Sequence, residues 1–361
     1  MSIQLEPPIG EMIPHSLVSS HSASNSRNAH SSASPPREGR AGERRPRSRT
    51  RLDLHPDEFS SLCLRLTHRL SSDAVVRADE PLARKTTLRV GGRADLYVEP
   101  ASEVDLILAL RFCHQHGVPF LVIGRGSNLL IKDGGVRGAV ISLAQPCFSL
   151  IEASGERLRC GAGAKLKAVA FDAKRHGLTG FEFLEGIPGT IGGGLRMNAG
   201  AMTGQLFDRV ESVRVMDPDG SIKEFAADEL GAVYRNCAGL RDRIALGAVL
   251  RGRPAPKDDI EKRMTEFSRK RWASQPAAPS AGCIFKNPRS IPAGKLIDEL
   301  GLKGTRVGGA YVSQEHGNFI VTNSTASAHD VLELIDLIRS VARLEREIEL
   351  ETEVQIIGEE A

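Results

Sequence analysis

Two glycine-rich stretches hold the residue types best suited to meeting a ligand with bare backbone. Residues 180–201 read GFEFLEGIPGTIGGGLRMNAGA, with seven glycines among 22 residues and Pro188 in their midst. Glycine costs about 1 kcal/mol against alanine inside a helix and proline more, so a helix interior is not expected here. A strand would lose ladder bonds and packing at Pro188 and Gly192 to Gly194. The stretch is either a long structural turn or a ligand wall whose exposed N–H groups suit phosphate oxygens or the rim of a flat polar ring. The second stretch, Gly124 to Leu130, reads GRGSNLL after the apolar run PFLVI. It is not a Rossmann fingerprint, because G-x-G-x-x-G would need glycine at 129, where Leu129 stands, and no helical pattern opens there. A loop closed at once by another strand implies a different phosphate site, with backbone N–H groups and the Ser127 and Asn128 side chains on the anion.

The remaining reactive residue types point to little by themselves. The six cysteines, Cys63, Cys113, Cys147, Cys160, Cys237 and Cys283, form no CxxC pair, and no Cys/His spacing suits zinc. Free thiols in a reducing cytosol are expected, with no metal and no disulfide. No apolar run is long enough to span a membrane, and no hydrophobic segment of signal-peptide length opens the chain.

The chain has 361 residues, room for two or three domains. Its net charge of +3 is unevenly spread. Residues 1–51 carry eight Arg against four Glu, while the rest holds 40 basic and 41 acidic side chains. The body is near neutral, so no broad nucleic-acid surface is expected. Residues 1–55, rich in Ser and Arg, read as a disordered tail with too little apolar content to offset ordering entropy.

The elements that must position the glycine stretches alternate between helix and strand. Pro56 to Leu70 has helical spacing at Phe59, Leu62, Leu66 and Leu70. Ser102 can cap a helix with an apolar face at Val104, Ile107, Leu108 and Phe112, ended by Gly117. Short strands are expected at 119–124, 129–131 and 138–143, and a helix at 165–176. A hairpin at 210–225 turns on DPDG, and a strand at 245–250 precedes a boundary near 252. Beyond it come a basic helix from Ile260 to Trp272, a loop AGCIFKNP at 281–288 and a helix from Ala293. A last helix is opened by Ser327 with Asp330 in a capping box, and a strand follows from Glu349 to Ile357. In that strand Leu350, Val354 and Ile356 alternate with Glu351, Glu353 and Gln355.

Several stretches now fall into one ordered set: TTLRVGGRADLYVEP, VIGRGSNLLIKDGG, the 180–201 stretch, VYRN, AGCIFKNP, AGKLIDELGLKG, HGNFIVTN and LETEVQIIG. Over about residues 74–358 the chain strongly resembles the UDP-N-acetylenolpyruvoylglucosamine reductase (MurB) family, in its shorter, type II-like form. The resemblance implies an α+β protein with an FAD-binding fold of the vanillyl-alcohol-oxidase (PCMH) type. Two FAD-binding subdomains (70–144 and 145–252) would precede a substrate-binding domain (253–358). It implies non-covalent FAD, NADPH as reductant, and UDP-N-acetylglucosamine enolpyruvate reduced to UDP-N-acetylmuramate in the cytoplasm, by a monomer with no nucleic-acid or membrane partner. The pyrophosphate side of FAD would meet Gly124, Arg125, Gly126, Ser127, Asn128 and Leu129. The ring side would meet Gly189, Thr190, Gly193, Asn198 and Gly200. Arg235 would hold the substrate carboxylate. Cys283, standing where the family usually has Ser, would protonate the enolate with a thiol of ordinary pKa. Glu353, with Glu351 as rival, would assist. Tyr234, Lys286 and Asn287 would touch substrate, with Arg271 and His316 as weaker candidates. A flavin oxidase of the same fold is the alternative enzyme, and a colourless binding module using the Arg-rich tail is the alternative outside enzymes.

Overall fold

The structure, a computed structural model, describes residues 56–202 and 204–361. The expected disordered tail lies outside the described residues. The fold is α+β, and its sheets divide along the chain.

The first sheet has four strands: β1 (Val75–Pro81), β2 (Arg93–Glu99), β3 (Phe120–Ile123) and β5 (Val136–Ser142), in the order β1-β2-β5-β3. β1 runs antiparallel to β2, while β2, β5 and β3 are parallel. The helix α1 (Pro56–Thr67) places Leu62 and Leu66 in the core beside this sheet. The crossover from β2 to β3 is α2 (Glu103–Gln115), capped as expected by the Ser102 hydroxyl, which accepts from the Asp105 N–H at 3.1 Å. Its buried face matches the expected one only in part, with Phe112 buried and Ile107 packed against the core. Leu106, Ala109, Leu110 and Cys113 turn inward, and Val104 is exposed. Both stripes have helical spacing, and contact with the sheet selects the one that buries more.

The second sheet is wholly antiparallel. It runs Ile222–Ala226, Val210–Met216, Ile244–Arg251, β7 (Arg157–Gly161), β6 (Ile151–Ser154). The DPDG hairpin forms as predicted. The helix α3 (Leu166–Arg175) buries Leu166, Val169, Ala170 and Ala173 on the core of this sheet.

The third sheet is small and antiparallel: Ser280–Cys283, Phe319–Thr322, Ala310–Val312, Arg306–Val307. Its core is covered by α6 (Ala293–Glu299) and α7 (Ala328–Arg346), the latter opened by the Ser327/Asp330 capping box. AGCIFKNP is therefore not simply a loop, since Ser280–Cys283 is a strand and Phe285 bridges Thr352. The terminal strand is shorter than expected. Only Gln355–Ile357 pairs, parallel to β4 (Leu129–Ile131). The core of this region also takes in Leu88, Val90 and Leu130 from early in the chain. Among the described residues no helix is long and apolar enough to cross a membrane.

Candidate active site

The glycine stretch contains a helix, against the expectation from its composition. α4 (Ile191–Arg196) takes Gly192, Gly193 and Gly194 into one short helical segment with Thr190 before it. Tertiary contact overrides the propensity. A Cβ at Gly194 would stand 3.0 Å from Leu206, and one at Gly192 would stand 3.2 Å from Ala162. Only bare backbone fits so close to both neighbours. Gly193 faces more open space, with its nearest neighbour Thr190 Oγ1 at 3.9 Å from a built Cβ.

α4, the GRGSN loop and the third sheet surround one cavity of about 1030 Å³. That is at the large end for a small-molecule site and suits a dinucleotide. Its walls include Gly124 to Leu129, Gly189, Thr190, Gly193, Gly200, Arg235, Cys283 and Glu353, all expected from the sequence. Four expected residues are not in its wall. Asn198 is buried and spends its amide on Gln205, Val233 and Phe207, so it folds the turn. Asn287 accepts from the Ala293 N–H at the start of α6. Lys286 pairs at 2.9 Å with the exposed Glu351. Tyr234 is exposed, with the Arg235 guanidinium 5.1 Å from its ring centre. Of the weaker candidates, Arg271 does line the cavity, and desolvation lowers its pKa. His316 packs its ring tilted against Phe319 and accepts from the Asn318 N–H.

The GRGSN side chains have work other than the expected anion contact. Ser127 Oγ donates to the Pro188 carbonyl at 2.7 Å, tying the loop to the glycine stretch. Asn128 Nδ2 donates to the Glu353 carbonyl at 3.1 Å. Those protons are committed to protein. Among the described residues no protein acceptor meets the backbone N–H groups of 125 to 128. They form the donor set an anion needs.

At the other end of the cavity three distant segments meet. Arg235 takes φ of 55°, a left-handed conformation that is strained for a branched-chain or long residue. Its Nε donates to Glu353 Oε1 at 2.6 Å, and a second nitrogen donates to the Gly200 carbonyl at 3.3 Å. Burial raises the Glu353 pKa, against the opposing pull of Arg235. Glu351, its rival two residues away, is exposed outside the cavity, so the geometry separates the two. The Cys283 thiol is pushed up to about 11, first by burial and then by the Glu353 charge. This corrects the expectation of an ordinary thiol. Cys283 stays protonated through neutral pH and is a weaker acid than expected, though still stronger than an alcohol.

Some wall residues were missed from sequence. The run Ala162-Gly163-Ala164, directly after β7, lines the cavity, with a built Cβ at Gly163 only 2.1 Å from the Leu143 carbonyl. Its small-residue pattern between a strand and a helix was the available signal. Gln275, Arg196 and Gln355 carried none. Asn318 holds the Phe285 backbone, two residues beyond Cys283, through both ends of its amide.

Residues 275–357 match the family model of the UDP-N-acetylenolpyruvoylglucosamine reductase C-terminal domain, and residues 94–226 match an FAD binding domain. A UDP-N-acetylenolpyruvoylglucosamine reductase of Pelobacter propionicus is 44% identical over 293 residues, covering 81% of this chain and 98% of that protein. The chain belongs to the UDP-N-acetylenolpyruvoylglucosamine reductase family. The enzyme of that name from Clostridioides difficile is 42% identical, covering 79% of this chain and 94% of its own. The crystal structure of the Thermus caldophilus reductase aligns with a TM-score of 0.70 at 39% identity, covering 79% of this chain and all of that one. As a reductase of this family the chain is a flavin oxidoreductase of peptidoglycan precursor synthesis. The residues present fit FAD: a cavity of dinucleotide size, a loop of unmatched backbone donors, and glycines that admit close backbone approach.

Proposed function

We propose that this protein reduces the enolpyruvyl ether of UDP-N-acetylglucosamine to UDP-N-acetylmuramate, with NADPH as the source of reducing equivalents. Residues 124–129 and the glycine stretch would hold the cofactor through backbone. FAD supplies the hydride when bound. The observation that carries the reading is the meeting of Arg235, Cys283 and Glu353 on one cavity wall, from segments more than 40 residues apart.

Hydride addition to an enol ether next to a carboxylate puts negative charge on that carboxylate. Arg235, with fixed charge and two-donor geometry, opposes that charge. Arg235 lies in the cavity wall. Cys283 then delivers a proton from sulfur to the enolate carbon, and its raised pKa keeps the proton in place until the enolate forms. Glu353 orients Arg235 through their 2.6 Å contact. Its own pKa is raised, so it accepts a proton more readily than an exposed carboxylate. Cys283 in place of the family's usual Ser keeps the acid function with a stronger acid.

Arg271, whose guanidinium has no ion pair among the described residues, and Gln275 are placed to meet the anionic diphosphate of the sugar nucleotide. The division into two FAD-binding subdomains (70–144 and 145–252) and a substrate domain (253–358) is part of this reading, as are a monomeric state and a cytoplasmic site of action. Six free cysteines are in keeping with that compartment. The product feeds cell-wall growth and, through it, cell shape and division.

The test is the anaerobic absorption spectrum of the purified protein. NADPH should bleach a flavin band, and UDP-N-acetylglucosamine enolpyruvate should restore it without oxygen. Bleaching by a sugar with restoration by oxygen, and no restoration by the enolpyruvyl nucleotide, would replace this reading with an oxidase. A protein that binds no flavin would end it.

A further inference from the structure

Asn128 stands in the phosphate-side loop, yet both its polar ends face the terminal segment. Its side-chain Nδ2 donates to the Glu353 carbonyl at 3.1 Å. Its backbone carbonyl accepts from the Gln355 N–H at 3.0 Å, starting the parallel pairing of Leu129–Ile131 with Gln355–Ile357. The partner of the side chain is a carbonyl, so only the amide nitrogen can face it. On its other side, Glu353 donates its own N–H to the Ile284 carbonyl at 2.7 Å, one residue beyond Cys283. The peptide unit bearing Glu353 is thus clamped between the Cys283 segment and the GRGSN loop.

We infer that Asn128 is a positioning residue for Glu353, which couples the cofactor loop to the reacting end of the cavity. The inference rests on the catalytic reading of Glu353 given above. Asn128 touches neither the guanidinium nor the thiol. It fixes the backbone from which the Glu353 carboxylate reaches Arg235 at 2.6 Å. Ser127, its neighbour, serves the other wall through the Pro188 carbonyl. Two adjacent side chains therefore brace the loop in two directions, while its backbone N–H groups are left without a protein acceptor. A ligand that orders this loop also orders Glu353.

The experiment measures the two half-reactions separately in the full chain with excess FAD: flavin reduction by NADPH, then reoxidation by UDP-N-acetylglucosamine enolpyruvate. For Asn128→Ala the first should stay within about twofold of the parent, and the second should slow about tenfold, the worth of one part-buried hydrogen bond. Asn128→Asp keeps the size but faces a carbonyl with an acceptor, and should slow reoxidation more. The double variant Asn128→Ala with Glu353→Gln should be no slower than Glu353→Gln alone, because one residue acts through the other. Equal slowing of both half-reactions, or loss of flavin by both Asn128 variants despite excess FAD, would make Asn128 a cofactor ligand and overturn the inference. So would additive slowing in the double variant. If Glu353→Gln slows reoxidation and Asn128→Ala does not, the inference alone falls. If Glu353→Gln leaves reoxidation unchanged, the reading of Glu353 falls with it.

Discussion

The two ends of the cavity are built by opposite means. At the GRGSN end, five consecutive residues supply the surface, and backbone N–H groups are the chemistry. The Ser127 and Asn128 side chains turn away to hold neighbouring walls. At the reacting end, Arg235, Cys283 and Glu353 come from three segments, and side chains are the chemistry. A backbone site is set mainly by local conformation and tolerates distant change. A side-chain site depends on the placement of three separate segments and on burial, which is the largest cause raising both the Glu353 and Cys283 pKa values.

The difference can be broken at either end. Arg235→Met should give the largest effect, slowing substrate reduction by about 10²- to 10³-fold, as for the loss of one donor to a developing anion. Flavin reduction by NADPH should change only a few-fold, and stopped-flow absorbance separates the two. If both fall together, Arg235 belongs to the cofactor end. Cys283→Ala should slow the same step by about 10²-fold or more, the scale of general acid catalysis, while Cys283→Ser keeps most of the rate. Near-parental product formation by the alanine variant would remove the thiol from the mechanism.

At the backbone end the expected effect is on retention. A Cβ at Gly124 would stand 2.6 Å from Thr190 Oγ1. Gly124→Ala should weaken FAD binding about tenfold or somewhat more, the reach of a 1–3 kcal/mol overpacking penalty. Shortening Thr190 to Gly in the same chain should recover much of it, read by equilibrium dialysis. An unchanged affinity in Gly124→Ala would mean that the two walls move apart freely. The smallest effect is on thiol labelling. With a pKa of about 11, Cys283 is about one part in a thousand thiolate at pH 8. The exposed Cys147 should alkylate first, and the Cys283 rate should rise about tenfold from pH 8 to pH 9. Glu353→Gln should speed it by removing the charge that helps raise the thiol. Mass spectrometry of timed samples decides, and rapid labelling of Cys283 at pH 8 would contradict its burial.

Much of the fold was legible because its signals are local. The Ser327/Asp330 capping box, the DPDG hairpin and the strand after GRGSN each rest on a few adjacent residues, and each is present. The failures share one cause. α2 buries Leu106 and Ala109 rather than Val104, since periodicity allows either stripe and the sheet chooses. Gly192 to Gly194 join a helix because Ala162 and Leu206 leave room only for bare backbone. Asn198 and Asn287, ligands by the family resemblance, give their amides to protein partners that no spacing reveals.

The chain by itself determined the family, through an ordered set of motifs, and the backbone character of the cofactor loop, through its glycines. It also put Glu351 and Glu353 on one face of an expected strand, where the family resemblance alone favoured Glu353. The tertiary structure supplies the physical difference, placing Glu353 against Arg235 in the cavity wall and leaving Glu351 exposed beside Lys286. Alternation sets which side of a strand a residue faces. What lies on that side, and whether water reaches it, depends on chain segments more than 100 residues away, such as Asn128 and Arg235.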